Sequence, residues 1–188
     1  MKKSSIITLI TVVTFSLTAF ITAPEKWVSS KSHVKFFSST PAEDIEANNF
    51  KTISTIDPKT GEVVFSVPMQ SFEFEKSLMQ KHFNQDKFLD TKQFPKAKFT
   101  GRITNLEDIN WDSDGTYSAS ITGDLTIKGV TKSYSEMGSI TVTGGSINTK
   151  STFHVTLSDH GIAFQDGKPS TNIAKTVEVT LIADYQPQ

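Results

Sequence analysis

An all-β fold, a sandwich or a barrel of about eight strands, is what this sequence predicts. Two observations carry that reading. The first is period-two alternation, clearest in "TYSASITGDLTIKG". There Tyr117, Ala119, Ile121, Gly123, Leu125 and Ile127 share one face, and Ser118, Ser120, Thr122, Asp124, Thr126 and Lys128 the other. The second is the set of turn signals, such as "DPKTG", "NWDSDG" and Gly144-Gly145, that separate most of the alternating segments.

The chain opens with "MKKSSIITLITVVTFSLTAFITA", in which Lys2 and Lys3 precede an uncharged apolar run from Ile6 to Ile21 and a small residue at Ala23. That order is the layout of a secretory signal peptide. The run is short for a membrane span of about 20 residues, so cleavage near Ala23 is expected rather than a retained anchor. No cysteine follows it, which excludes lipid attachment there. The expected domains are therefore a signal peptide at 1–23 and one β-domain at 24–188, in the periplasm or secreted. Of 188 residues, 165 would remain, enough for a core without disulfides, and the chain has none to form. Without Lys2 and Lys3, 17 basic residues face 20 acidic ones, a net charge of −3 that suits neither nucleic acid nor an anionic membrane surface.

Eight strand segments follow in order. "KWVSSKSHVKFF" sets Val34 and Phe36 on one face, and a polar stretch with Pro41 comes after it. "NNFKTISTID" alternates weakly and ends at "DPKTG". "EVVFSVPMQSF" keeps Val63, Phe65, Val67 and Met69 in phase, and Pro68 on the other phase marks an edge or a bulge. "AKFTGRITNL" and the long segment quoted above are the fourth and fifth. "TKSYSEMGSITVT", "STFHVTLSD" and "KTVEVTLIADY" complete the set, the last with Val177, Val179, Leu181, Ala183 and Tyr185 in phase.

One stretch breaks the alternation. In "FEFEKSLMQKHFNQDKFLDTKQFPKAKF", Leu78, Met79, His82 and Phe83 recur at helical spacing, which predicts a short helix at about 73–84 and a connector to Pro95. An insertion this long between strands is the usual form of a lid or binding loop. No internal repeat and no linker suggests a second domain.

Catalytic and metal motifs are missing from the sequence. His33, His82, His154 and His160 stand at no zinc-site spacing, and His154 and His160, six apart at a strand end, read as surface or capping residues. No serine lies in a nucleophile elbow. Glu107-Asp108 and Asp112/Asp114 read as turn residues, and "DSDG" lacks the downstream glutamate of a calcium loop. The expectation is a protein that is not an enzyme, with no metal and no cofactor.

The marked excess is phenylalanine, 14 residues against 3 tyrosines. Phe36, Phe65, Phe99 and Phe153 are in strand phase; Phe72, Phe74, Phe83, Phe88 and Phe94 crowd the odd segment. A filled β core with a helix over its mouth would use them. So would a barrel with an apolar interior and an aromatic lid, since eight strands is about the size at which a barrel either fills or holds one ligand. Ala119, Gly123 and Gly101 at inward positions favour open space.

"GDLTIKGVTK", "HFNQDKFLDTKQFPKAKF", "SHVKFF" and "SDHGI", in that family's order and spacing across about residues 25–186, resemble the YceI family of exported bacterial proteins. The resemblance implies an eight-stranded antiparallel lipocalin-like β-barrel, with the helix and lid insertion at about 73–95. It implies an elongated cavity holding an isoprenoid-type lipid, a quinone or a prenyl lipid, as hypothetical bound ligand and partner. It allows a homodimer and implies no stable membrane insertion. The expected ligand-binding residues are Phe36, Phe65, Leu78, Met79, Phe83, Phe88, Phe99, Tyr117, Ala119, Ile121, Gly123, Leu125, Phe153 and Val155. Family members commonly carry an Arg-Asp pair just before the helix histidine, where this chain has Met79-Gln80 before His82. They often carry "RSDFG" where this chain has "LSDHG", with Leu157 for the arginine. Loss of both cations points to a neutral head group rather than a diphosphate. The competing reading is a solid-core barrel acting as an envelope interaction or stress-related protein without a lipid. A membrane-embedded barrel is disfavoured by Arg102, Lys128, His154 and Glu178 on strand segments.

Overall fold

The computed structural model describes residues 26–162, 164–165, 168–169 and 172–186; the expected signal peptide lies outside the described residues. The strands among them are β1 (Trp27–Ser39), β2 (Asp44–Asn49), β3 (Ile53–Ile56), β4 (Glu62–Pro68), β5 (Phe72–Phe74), β6 (Lys96–Ile103), β7 (Gly115–Ile127), β8 (Val130–Thr143), β9 (Ser146–Thr156), β10 (Phe164–Gln165), β11 (Lys168–Pro169) and β12 (Thr176–Gln186). One helix, α1 (Ser77–Asn84), lies between β5 and β6.

Eight of these strands close a barrel. The hydrogen-bonded order is β12-β9-β8-β7-β6-β4-β3-β1, and β1 pairs back to β12, all antiparallel. They correspond to the eight segments that alternate in the sequence. Closure removes the free edges that a sandwich would have left. The long hairpin β7–β8 turns on Lys128 and Gly129, both at positive φ (50° and 75°), the geometry of a two-residue hairpin loop. The β8–β9 hairpin does the same with Gly144 and Gly145. Pro68 pairs with Lys96 as the last residue of β4, so it ends the strand rather than bulging it.

The barrel is wider at one end because β1 forks. Trp27 and Val28 pair with Ile56 and Thr55 of β3, but from Val34 to Ser39 the same strand pairs with β2, and β2 pairs with β5. The polar stretch after β1 thus contains a strand that buries Ala47 completely. Asn49 pins the fork. It is fully buried, donates through Nδ2 to the Pro68 carbonyl at 2.8 Å and accepts from the Lys51 N–H at 2.9 Å and the Thr52 hydroxyl at 3.2 Å. The helix starts at Ser77, later than about 73, because Phe72–Phe74 is committed to the sheet as β5.

Two apolar clusters stack along the barrel axis. One, at the helix end, gathers Val34, Met69, Phe72, Phe83, Leu89 and Val155 among others. The other, at the narrow end, gathers Ile56, Phe65, Ile103, Ile140, Val142 and Tyr185.

Candidate functional site: the barrel cavity

The interior is not filled by side chains. A cavity of about 910 Å³ runs between the two clusters and reaches the helix end. Eleven of the fourteen expected positions line it: Phe36, Phe65, Met79, Phe83, Phe88, Phe99, Ala119, Ile121, Leu125, Phe153 and Val155.

Three do not. Leu78 is 60% exposed, because this helix of about two turns gives only one face to the barrel, and Met79, His82 and Phe83 take it. Tyr117 packs at the narrow end and donates its hydroxyl to the Ser113 carbonyl at 2.9 Å. Gly123 gives no free space at all. It pairs with Gly101, and the Phe99 ring lies across both: a Cβ on Gly123 would stand 2.7 Å from Phe99 Cζ, and one on Gly101 2.6 Å from it. The two glycines make room for an aromatic ring, not for a ligand, and of the three small inward residues only Ala119 faces the void.

Phe83 is the hub of the lid. Its ring stacks on Phe36 (centroids 5.7 Å apart, 10° between planes) and meets Phe72 at 5.4 Å, Phe74 at 5.0 Å and Phe88 at 6.2 Å. Phe72, Phe74, Leu89, Ile127, Val179 and Leu181 also line the cavity and were not among the expected ligand-binding residues. The strand phase of Val179 and Leu181 with Val177 was visible in the sequence and would have found them. Met79 and Leu157, where the family often has arginine, both face the cavity. Among the lining residues the cationic or ionisable nitrogens are those of His82, Lys87 and Lys150. His82 and Lys87 are exposed, and Lys150 alternates outward between the inward Thr149 and Ser151. Arg102 is exposed on the outside of β6.

The wall has a seam. β8 and β9 pair only from Gly138↔Ser151 to Thr143↔Ser146; beyond that, 130–137 pairs with β7 alone and 152–156 with β12 alone. Tyr134 and Phe153 meet edge to face across the gap at 6.3 Å. His160, fully buried, latches it: its Nδ1 lies 3.1 Å from the Val130 carbonyl and its Nε2 3.1 Å from the Tyr134 hydroxyl. With Nδ1 donating to the Val130 carbonyl, Nε2 is the acceptor for the Tyr134 hydroxyl. Burial, reinforced by the charges of Asp159 and Glu136, raises the Tyr134 phenol above its ordinary value. The expected surface or capping role for His160 is corrected: it is fully buried and bonds across the seam to Val130 and Tyr134, and Gly161 is the cap of its short 3-10 turn.

At the narrow end Ser54 Oγ donates to the Tyr185 hydroxyl at 2.7 Å. Burial pushes the Tyr185 phenol up to about 12, against hydrogen bonds with Ser54 and Thr149 that pull the other way. The floor is therefore a neutral, satisfied group. Among the described residues no hydrogen bond joins a histidine to a carboxylate, and no three His, Asp or Glu side chains gather as a metal site. The chemistry this arrangement offers is enclosure of an apolar molecule.

The sequence profile of the YceI-like domain matches residues 26–184. No curated protein matches the chain. Among solved structures, a polyisoprenoid-binding domain from Saccharophagus degradans is similar at a TM-score of 0.74 and 13% identity, covering 88% of this chain and 100% of that one. BcnA of Burkholderia cenocepacia is similar at 0.67 and 18%, covering 81% and 95%. The Campylobacter jejuni YceI protein is similar at 0.54 and 17%, covering all of both chains. At these identities the likeness is one of fold.

Proposed function

The chain belongs to the family of YceI-like domains, and from that premise we propose that it is an exported carrier or binding protein for an isoprenoid-type lipid held in the barrel, and not an enzyme. The observation that carries this is the cavity itself: about 910 Å³, near the upper end of ordinary ligand pockets, lined by Phe36, Phe83, Leu125, Phe153 and their neighbours, under an aromatic lid. A solid-core barrel would have spent those phenylalanines on filling the space. The similarity to a domain named for polyisoprenoid binding supports the same ligand class. Affinity would come from burial of a chain, at about 0.8 kcal/mol per CH₂ before the ordering costs. Export, with cleavage near Ala23, is part of the proposal and rests on the order of charge, apolar run and small residue at the N-terminus.

With Met79 and Leu157 on the cavity wall, no buried cation among the described lining residues waits for a diphosphate. A neutral prenyl lipid should then bind at least as well as its diphosphate, and rising ionic strength should leave that binding nearly unchanged. The test is organic extraction of the purified protein followed by mass spectrometry, with a titration of matched neutral and diphosphate prenyl lipids at low and high salt. A co-purifying isoprenoid and a salt-insensitive neutral preference are expected. An empty protein that takes up neither added lipid would overturn the proposal.

A further inference from the structure

Two carboxylates, Glu43 and Glu136, are among the residues that line this mainly apolar cavity; Glu43 is paired with Lys76 at 3.0 Å, and Glu136 is not. On β8 it shares its face with Tyr134, Gly138 and the buried Ile140, while its neighbours Ser135 and Met137 are exposed on the other side. It stands one step beyond the last β8–β9 pair, Gly138↔Ser151, at the closed end of the seam. Other inward polar groups nearby are satisfied within the protein: Ser151 Oγ donates to the Met137 carbonyl at 2.9 Å, Thr149 Oγ1 to the Ala183 carbonyl at 3.3 Å, and Tyr134 is held by His160. The Glu136 carboxylate has no hydrogen bond and no ion pair among the described residues. Its β7 partner is Ile121, and Gly138, next on the same face, lines the same cavity with its backbone. Lys150 points away from it, and Lys132, on the same face, is exposed at the hairpin end.

Glu136 is half-buried, and hydration is what stabilises its charge while no ligand occupies the cavity. A chain that fills the cavity drives that water out, and an ionised carboxylate without a partner in apolar surroundings is strongly unfavourable. A ligand that presents a donor or a positive charge at that height meets the carboxylate without that penalty. A quinone offers acceptors alone; a carboxylate or phosphate adds repulsion.

We propose that Glu136 is the head-group acceptor of the cavity, which therefore takes a lipid ending in a hydrogen-bond donor or a cation, an alcohol or an amine, seated at the seam with its chain along the phenylalanine-lined half. This rests on the carrier reading above and narrows its ligand class.

Three probes with one chain test it: geranylgeranylamine, geranylgeraniol and geranylgeranoic acid, titrated at neutral pH into the protein freed of lipid. Amine and alcohol should bind at least about tenfold more tightly than the acid. Glu136→Gln, nearly isosteric and still an acceptor, should bring amine and acid within roughly threefold of each other and leave the alcohol little changed. Glu136→Lys should reverse the order, with the acid tightest. Arg102→Ala, on the outside of β6 and away from the cavity, should keep the wild-type order. Circular dichroism confirms that each variant is folded. Equal binding of amine and acid by the wild type, or a preference that survives Glu136→Gln, overturns the head-group role while leaving the carrier reading intact. Failure of all three probes to bind overturns both.

Discussion

The Phe99 ring lies over Gly101 and Gly123, and that contact changes what a substitution there should do. Gly123→Leu has no void to enter; it meets the backbone of Thr100 and Gly101 as well as the ring, and should lower stability by about 1–3 kcal/mol, read as a fall in the denaturation midpoint. Ala119→Leu enters the cavity instead. It should leave the midpoint nearly unchanged and weaken lipid uptake, so the two variants separate in opposite columns of the same experiment. Alternation assigns Ala119 and Gly123 to one face, but it does not register that a cross-strand neighbour's ring leans over one of them. Tyr117 was misplaced for a related reason: phase says inward, and only the closure of the barrel says at which end. Asp57 gives a pH-dependent counterpart. Burial raises its pKa, but the N–H groups of Lys59 and Thr60, the Thr60 hydroxyl and the Lys26 charge outweigh that and hold it below the ordinary carboxylate value. A carboxyl with a depressed folded pKa contributes stability above its unfolded value of about 3.9, and that contribution is lost as pH falls through the folded value. Asp57→Asn should therefore be less stable than wild type near neutrality, with the gap closing below about pH 4 in urea unfolding curves.

Elements that alternate over ten or more residues were legible, and those that borrow their partner from elsewhere were not. β7, β8 and β12 turn one face inward over most of their length and show it as a period of two, broken at Met137 and Ile182. β2 is six residues, DIEANN, with one apolar pair, Ile45 and Ala47, and it is a strand only because β1 offers it an edge. β5 is three residues, and the helical pattern that follows it masked the sheet contact of Phe72 and Phe74. Since Asn49 satisfies both sides of the fork, Asn49→Ala should leave the Pro68 carbonyl without its partner and destabilise by about 1–3 kcal/mol. The accompanying sign would be faster amide exchange in β2 and β5 than in β7 and β8. In the lid, Phe83→Ala should weaken neutral and charged lipids alike, because the ring contacts four others and no head group. Leu78→Ala, on the exposed side of the same helix, should change neither binding nor stability by more than about 0.5 kcal/mol.

At the scale of the molecule, closure and widening come from the same strand. β1 joins β12 along most of its length, which closes the barrel, and forks toward β3 and β2, which opens the helix end beyond the width of eight strands. The composition announced a large aromatic interior but not whether it would be solid, because volume depends on strand count at each level of the barrel rather than on which residues point inward. An interior of this kind ties stability to occupancy. A lipid that binds only the folded barrel adds RT ln(1 + [L]/Kd), about 2.7 kcal/mol at a hundredfold excess over Kd. For a domain of this size each kcal/mol moves the melting temperature by about 2–4 °C, so loading should raise it by roughly 5–11 °C. A filled core would show no such dependence on added lipid. The seam between β8 and β9 sharpens the expectation. Its 130–137 stretch pairs on one side only, so in the empty protein its amides should exchange faster than those of 138–143, and binding should protect them most. Uniform protection along β8, with or without lipid, would mean that the Tyr134–Phe153 contact and the His160 latch already close the wall, and that the ligand adds nothing to it.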